Sequence, residues 1–333
     1  MGSEPKTLQE ALIYFADSNN CRKYLVARRW PDGVTCPRCG SDKVAFLEKY
    51  NRWQCNSKTH KDRQFTSKTG TIFEDSPLGL DKWLAAMWLI VNCKNGISSY
   101  EVARDLDVSQ KSAWHMLHRI RLAMQDDLTG GMLGGEVEVD ETFIGGKARN
   151  MHADRKKRVM KTGFIDTGNK TIVMGVLERA SEGKPKRVRT TILSDRKKAT
   201  MLPEVAAHVS KDATIYSDEH GEKWNIDGDF QMQVVRHLQK YVDGNVHTNG
   251  LENFWSLLKC SLGGTYVSVE PFHLFRYLDE QAFRFNNRKD SEGDSLTDSD
   301  RFDLAVRQIV GKRLTWAEVT GKVTDHQAPP AIN

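Results

Sequence analysis

The 333-residue sequence has no apolar run of about 18 residues, the length a helix needs to cross a bilayer, so a membrane protein is not expected. Its first residues, MGSEPKTLQEALIYFAD, lack the basic-then-apolar order of a secretory signal, which points to a cytoplasmic protein. No internal repeat or low-complexity tract interrupts it. Cysteine is scarce, with six residues in all, and three of those lie close together. In a reducing compartment such clustering implies a metal site rather than disulfides. Charge of one sign is not in large excess: the formal +5 permits nucleic-acid binding without demonstrating it. What remains is a chain long enough for two or three domains, with 39% hydrophobic residues to build their cores.

The expected organisation is multidomain α+β. Residues 1–30 form a helical segment, with an amphipathic helix over 8–29. Residues 31–78 are rich in Gly, Pro, Cys, Asn and Lys, and residues 79–128 are helical. A Gly-rich stretch at 129–135 reads as a linker. Strand-like segments at 136–144, 171–178, 187–193 and 213–217 alternate with helices at 199–209, 249–260 and 270–286, giving a unit over 136–290. Residues 291–333 carry a short helix around Asp300–Val310 and a tail with no assignable role.

Cys36-Pro-Arg-Cys39 has the two-residue gap that lets two thiolates wrap one ion, and Cys55 follows at the distance expected of a second knuckle. His60, five positions on, supplies an imidazole where a fourth cysteine is missing. A Cys₃His zinc ribbon, with one structural zinc, is the reading of Cys36, Cys39, Cys55 and His60; a solvent-facing His60 is its alternative. Cys21, Cys93 and Cys260 stand apart in helical surroundings and read as buried free thiols.

Residues 83–94, 100–109 and 110–124 read as three helices. Ser98 and Glu101 form a capping box, and Ser109 caps the last helix. A helix, a turn at Asp107-Val108-Ser109 and a second helix with a polar start match a helix-turn-helix, whose second helix meets base edges through its N-terminal residues. Gln110, Lys111, Ser112 and His115 are the candidate contacts. A three-helix packing module with a solvated face is the alternative.

Three acids then stand out: Asp140 in GGEVEVDETFIGGK, Asp218 after the strand ATIYS, and Glu252 in the first turns of NGLENFWSLLK. Glu136, Glu138 and Asp140 share one strand face by the two-residue period, where they repel unless solvated or near a cation. Glu252 and Lys259 lie seven residues apart, two helical turns, and so share a face. Two carboxylates from strands and one from a helix can hold two Mg²⁺, with Mn²⁺ as a substitute, for phosphodiester chemistry. Lys259 can hold a phosphate beside them. Trp255 and Phe254 read as core; His247 and Thr248 either orient Glu252, touch DNA or pack. A basic run, containing Arg155, Lys156, Lys157 and Arg158, offers a phosphate-attracting segment.

The run CPRCG…WQC…QFTSKTGTIFEDSPL, then VEVDETFIGGK, SDEHGEKW and HTNGLENFWSLLKCSLGGTYVSVEPFHLFRYLDEQAFRFNNR, resembles bacterial insertion-sequence transposases with an N-terminal zinc ribbon, a group related to Merlin transposons. The spacing Cys55-x₄-His60 departs from the group's second Cys-x₂-Cys. The resemblance implies a ribonuclease-H-like α/β catalytic domain, a mixed sheet with flanking helices, over 136–290. It also implies an Asp-Asp-Glu metal site at Asp140, Asp218 and Glu252, followed by the basic Lys259. The implied activity is a DNA transposase that binds terminal inverted repeats, cuts, and joins ends to target DNA. The expected partners are double-stranded DNA and further copies of the chain, as a homodimer or larger assembly at the nucleoid. A nuclease of the same fold that cuts without joining, and a zinc-ribbon and helix-turn-helix regulator, are the rival functions.

Overall fold

A computed structural model of the chain describes residues 4–125, 131–145, 170–217, 231–234 and 247–322. The chain divides into two compact units, one made of residues 1–125 and 297–333 and the other of 126–296.

The first unit begins with α1 (Leu8–Phe15) and α2 (Ser18–Arg29). The single helix expected over 8–29 is broken because Asp17 leaves the helical conformation and accepts a hydrogen bond from the Asn19 N–H, capping α2. Three short antiparallel strands follow, β1 (Val44–Leu47), β2 (Arg52–Cys55) and β3 (Gln64–Phe65). Their core is small: Trp53, Phe65, Cys36 and Cys55, with Trp30, Val34, Val44 and Phe46 against it. So little apolar area stabilises a sheet of this size weakly, and an added cross-link is the usual remedy.

Next come α3 (Leu80–Asn92), α4 (Ser99–Asp105) and α5 (Gln110–Met124). Both halves of the Ser98–Glu101 capping box form, and Ser109 accepts from the Ser112 N–H. Helix α3 is buried on nearly every side, Trp83, Leu84, Met87, Trp88 and Ile90 among its covered residues, and serves as the axis of this unit.

The second unit is built on a five-stranded sheet. Its strands are β4 (Glu136–Ile144), β5 (Thr171–Glu178), β6 (Arg187–Leu193), β7 (Thr214–Ser217) and β8 (Gln231–Val234), in the order β6-β5-β4-β7-β8. The first three strands form an antiparallel meander, while β7 and β8 run parallel to β4. Among the described residues three helices flank it: α6 (Lys198–His208), α7 (Asn249–Cys260) and α8 (Leu274–Asn286). One sheet face packs Val137, Val139, Met174 and Val176 against Met201 and Val205 of α6. The other packs Val173, Leu177 and Val188 against α7 and α8 through Leu251, Trp255, Leu258 and Leu278. This mixed sheet between helices is consistent with a ribonuclease-H-like domain.

The described part of the expected linker is not a linker. Leu133 is fully buried, bridges Val209 and joins the α6-side core, because its apolar side chain packs with Val137, Met201 and Val205. Strand β8 was not foreseen at all.

Beyond the sheet unit, the chain rejoins the first one through α9 (Asp298–Arg307) and α10 (Trp316–Val319). Phe302 of α9 is fully buried among Phe15, Tyr24 and Trp88, and Asp303 pairs with Arg28 of α2 at 2.6 Å. Among the described residues no helix is long and apolar enough to cross a membrane.

Candidate functional site

In the first unit, Cys36, Cys39, Cys55 and His60 each present a donor atom, and these atoms lie within 4.8 Å of one another. Two turns and a strand end deliver them: Cys36 and Cys39 flank the Pro-Arg corner, Cys55 closes β2, and His60 follows from the next loop. Cys36 Sγ sits 3.4 Å from His60 Nε2, and Cys39 Sγ 3.7 Å from Cys55 Sγ. The Ser41 backbone N–H lowers the Cys39 thiol to about 6, which favours the thiolate that binds metal. Three sulfurs and one imidazole at this separation match the donor set of a closed tetrahedral zinc site.

The remaining cysteines differ from one another. Cys21 is buried, and burial pushes its thiol up to about 12. Cys93 is half-buried at the end of α3. Cys260 is exposed, contrary to expectation, because it falls on the outer face of α7.

The polar start of α5 is only partly open. Gln110 donates to Ser99 Oγ at 2.9 Å, tying α5 to α4. The Lys111 ammonium lies 4.6 Å from the Trp316 ring, and His115 Nε2 lies 3.3 Å from the Leu314 carbonyl, with its ring edge-on to Trp316. Ser112 is held by Ser109. Thus α10, in the segment without an assigned role, rests beside the residues singled out for base contact.

In the second unit the acids of β4 have distinct environments. Glu138 is 1% exposed; its Oε1 accepts from Arg179 Nε at 2.8 Å and its Oε2 from the Leu251 N–H at 2.9 Å. Glu136 takes Arg179 at 3.3 Å and the Tyr216 hydroxyl at 3.1 Å. The cation that the acidic strand face demanded is therefore, for these two, the guanidinium of Arg179. Leu251 lies in the first turn of α7, where backbone N–H groups lack intrahelical partners, and the N-cap residue Thr248 supplies no side-chain cap. Glu138 fills that role from the sheet. The approach is close: a Cβ on Gly250 would stand 2.7 Å from Glu138 Oε2.

Asp140, one strand repeat further, has Oδ1 on the Glu141 N–H at 2.8 Å and Oδ2 on the Trp255 indole N–H at 2.9 Å. Helix α7 consequently runs along β4, with Leu251 fixed to Glu138 and Trp255 to Asp140. Glu252 sits between those two anchors, three residues before Trp255 on a neighbouring helical position. Its carboxylate is exposed and 3.4 Å from the Thr248 hydroxyl, which donates to it. Lys259 is exposed on the same helix. His247 contacts Arg179 at 2.9 Å, so it belongs to the Glu138 network. Strand β7 ends at Ser217, one residue before Asp218. Asp218 lies outside the described residues, as do Arg155, Lys156, Lys157 and Arg158. Phe254 and Trp255 are buried as expected, but no local sequence pattern marks the polar end of Trp255.

Residues 132–286 match the family described as ISXO2-like transposase domain, and residues 16–58 match the transposase zinc-ribbon domain. The two matches together cover more than half of the chain. The sequence is 27% identical over 252 residues to an uncharacterized protein in transposable element ISH50 of Halobacterium salinarum, covering 74% of this chain and 83% of that relative. It is 28% identical over 102 residues to an uncharacterized transposase-like protein of Haemophilus influenzae, covering 30% of this chain and 82% of the other.

Proposed function

Because the chain belongs to the insertion-sequence transposases that join a zinc ribbon to an ISXO2-like catalytic domain, we propose that it binds the terminal inverted repeats of its element and both cuts and joins DNA there. The observation that carries this reading is the anchoring of α7 on β4: Trp255 bonds Asp140, and Glu252 lies one helical turn away. Asp140, Asp218 and Glu252 would hold two Mg²⁺, for which Mn²⁺ can substitute; their donor chemistry, carboxylate oxygens alone, suits hard divalent cations. When bound, such ions activate a water or a 3′-hydroxyl and stabilise the leaving oxygen of the phosphodiester.

The chain's own residues supply the rest. Asp140 reaches the site from a strand paired with β5 at Asp140 itself and with β7 up to Glu138, which constrains its backbone. Glu252 reaches it from a helix held at two points, so the two acids keep their separation as DNA enters. Lys259, two turns beyond Glu252, grips a phosphate of the bound strand. Water first attacks the phosphorus at the element's end, and the 3′ oxygen departs and takes a proton. That 3′-hydroxyl then attacks a target phosphodiester, forming the new P–O bond as the target's own 3′ oxygen leaves. No side chain bonds covalently to DNA.

Cys36, Cys39, Cys55 and His60 would hold one structural zinc, the cross-link that the small β1–β3 core requires. The ribbon and α4–α5, with Gln110, Lys111, Ser112 and His115 toward DNA, form the repeat-binding part, and Arg155–Arg158 add phosphate contacts. Two element ends must meet in one reaction, which calls for a homodimer or larger assembly on DNA in the cytoplasm, at the nucleoid. Strand transfer with pre-cleaved ends tests the reading. Joined products in Mg²⁺ support it; cutting without joining would make the chain a plain nuclease, and binding without either would make it a regulator.

A further inference from the structure

The contact between Trp255 and Asp140 is more specific than core packing requires. Trp255 is 4% exposed and sits in a largely apolar helix–sheet interface, where a buried indole N–H must find an acceptor. Its acceptor is the carboxylate that the proposed chemistry uses, at 2.9 Å. The strand pairing prepares the place. Asp140 is opposite Gly175 on β5, and a Cβ at Gly175 would stand 2.6 Å from Trp255 Cζ2 and 2.8 Å from Leu251 Cδ2. Only a residue with no side chain at 175 leaves room for the ring against the strand beside Asp140. Both ends of the carboxylate are then set by donors with fixed positions: Oδ1 by the backbone N–H of Glu141 and Oδ2 by the indole. These two donors, both neutral, constrain the torsion of the acid before any ligand arrives.

We propose that Trp255 is a positioning residue that orients the Asp140 carboxylate for divalent-metal binding, with Gly175 as the opening that admits it. This rests on the metal-site reading given above. Hydrogen-bonding partners of metal ligands commonly change affinity or activity about 10- to 100-fold when removed. Trp255 would act on the ion through Asp140, without touching ion or DNA.

The test uses the full zinc-loaded chain and Mn²⁺ alone, its binding read from the electron paramagnetic resonance signal of the free ion. Trp255→Phe keeps the aromatic packing and removes the N–H. The expected result is about 10- to 100-fold weaker Mn²⁺ binding, with melting temperature and affinity for element-end DNA close to those of the parent. Gly175→Ala keeps the N–H but displaces the ring, and is expected to weaken Mn²⁺ binding as well; it decides the matter if Trp255→Phe does not fold. Asp140→Asn separates the two levels. If Asp140→Asn loses Mn²⁺ and the Trp255 and Gly175 variants bind it as the parent does, the positioning role is wrong and the metal site stands. If Asp140→Asn binds Mn²⁺ undiminished, both fall.

Discussion

Glu138 of β4 and the backbone N–H of Leu251 in α7 meet at 2.9 Å, a strand carboxylate capping the helix that lies across its own sheet. The same carboxylate pairs with Arg179, which is itself 11% exposed. Removing Glu138 leaves Arg179 its longer contact with Glu136 at 3.3 Å and takes the acceptor from the Leu251 N–H, so Glu138→Ala is expected to destabilise the second unit by about 3 kcal/mol. Glu138→Gln retains an acceptor for Leu251 and should cost less. Urea unfolding followed by tryptophan fluorescence measures both; a loss below about 1 kcal/mol for the alanine variant would place the pair among weak surface interactions.

The ribbon is expected to depend on its ion. Elemental analysis of the purified chain should return one zinc per molecule, and Cys36→Ser should lose it. Loss of the ion should open the β1–β3 segment to protease while α3 stays protected, since α3 is buried by its own apolar residues. Full protease resistance in the zinc-free variant would contradict the role assigned to the four residues.

Lys111 is exposed at the start of α5. If it meets DNA, Lys111→Ala weakens binding to element ends and reduces the salt slope of the affinity by about 1. Binding isotherms at several salt concentrations check this. An unchanged slope would assign Lys111 to its contact with Trp316 alone.

The contact of α9 with α2 should weaken in acid. Burial alone would raise the Asp303 carboxyl, but hydrogen bonds from Arg28 and Arg307 outweigh it and hold the group below its usual 3.8. A carboxyl depressed in the folded state contributes stability above its ordinary pKa and loses it as pH falls through the folded value. The stability difference between the parent and Asp303→Asn is therefore expected to be full above about pH 5 and to shrink as pH falls below the ordinary 3.8. A difference independent of pH would refute the assignment.

The periodic parts of this fold were legible. Strands β4, β5 and β6 and helix α7 begin and end where alternation and helical spacing place them. The convergence of Cys36, Cys39, Cys55 and His60 was legible too, because a two-residue gap between cysteines is the spacing that one ion would dictate. What pattern could not supply is the choice of partner. Three acids on one face announce a cation, yet nothing local distinguishes a metal from Arg179, which arrives after β5. Trp255 reads as core by its spacing, and only the pairing of Asp140 with Gly175 reveals that its N–H has a carboxylate to meet. Likewise, the packing of Phe302 into the first unit depends on contacts with Phe15 and Trp88, over two hundred positions away in sequence.

Cleavage of DNA carrying the element's own ends, in Mg²⁺ and with Asp140→Asn, Asp218→Asn and Glu252→Gln beside the parent, tests most directly whether three acids form one metal site. Each substitution is expected to abolish cutting while leaving binding to those ends intact, and the parent should be inactive in chelator. Cutting by Glu252→Gln at the parent's rate would contradict it.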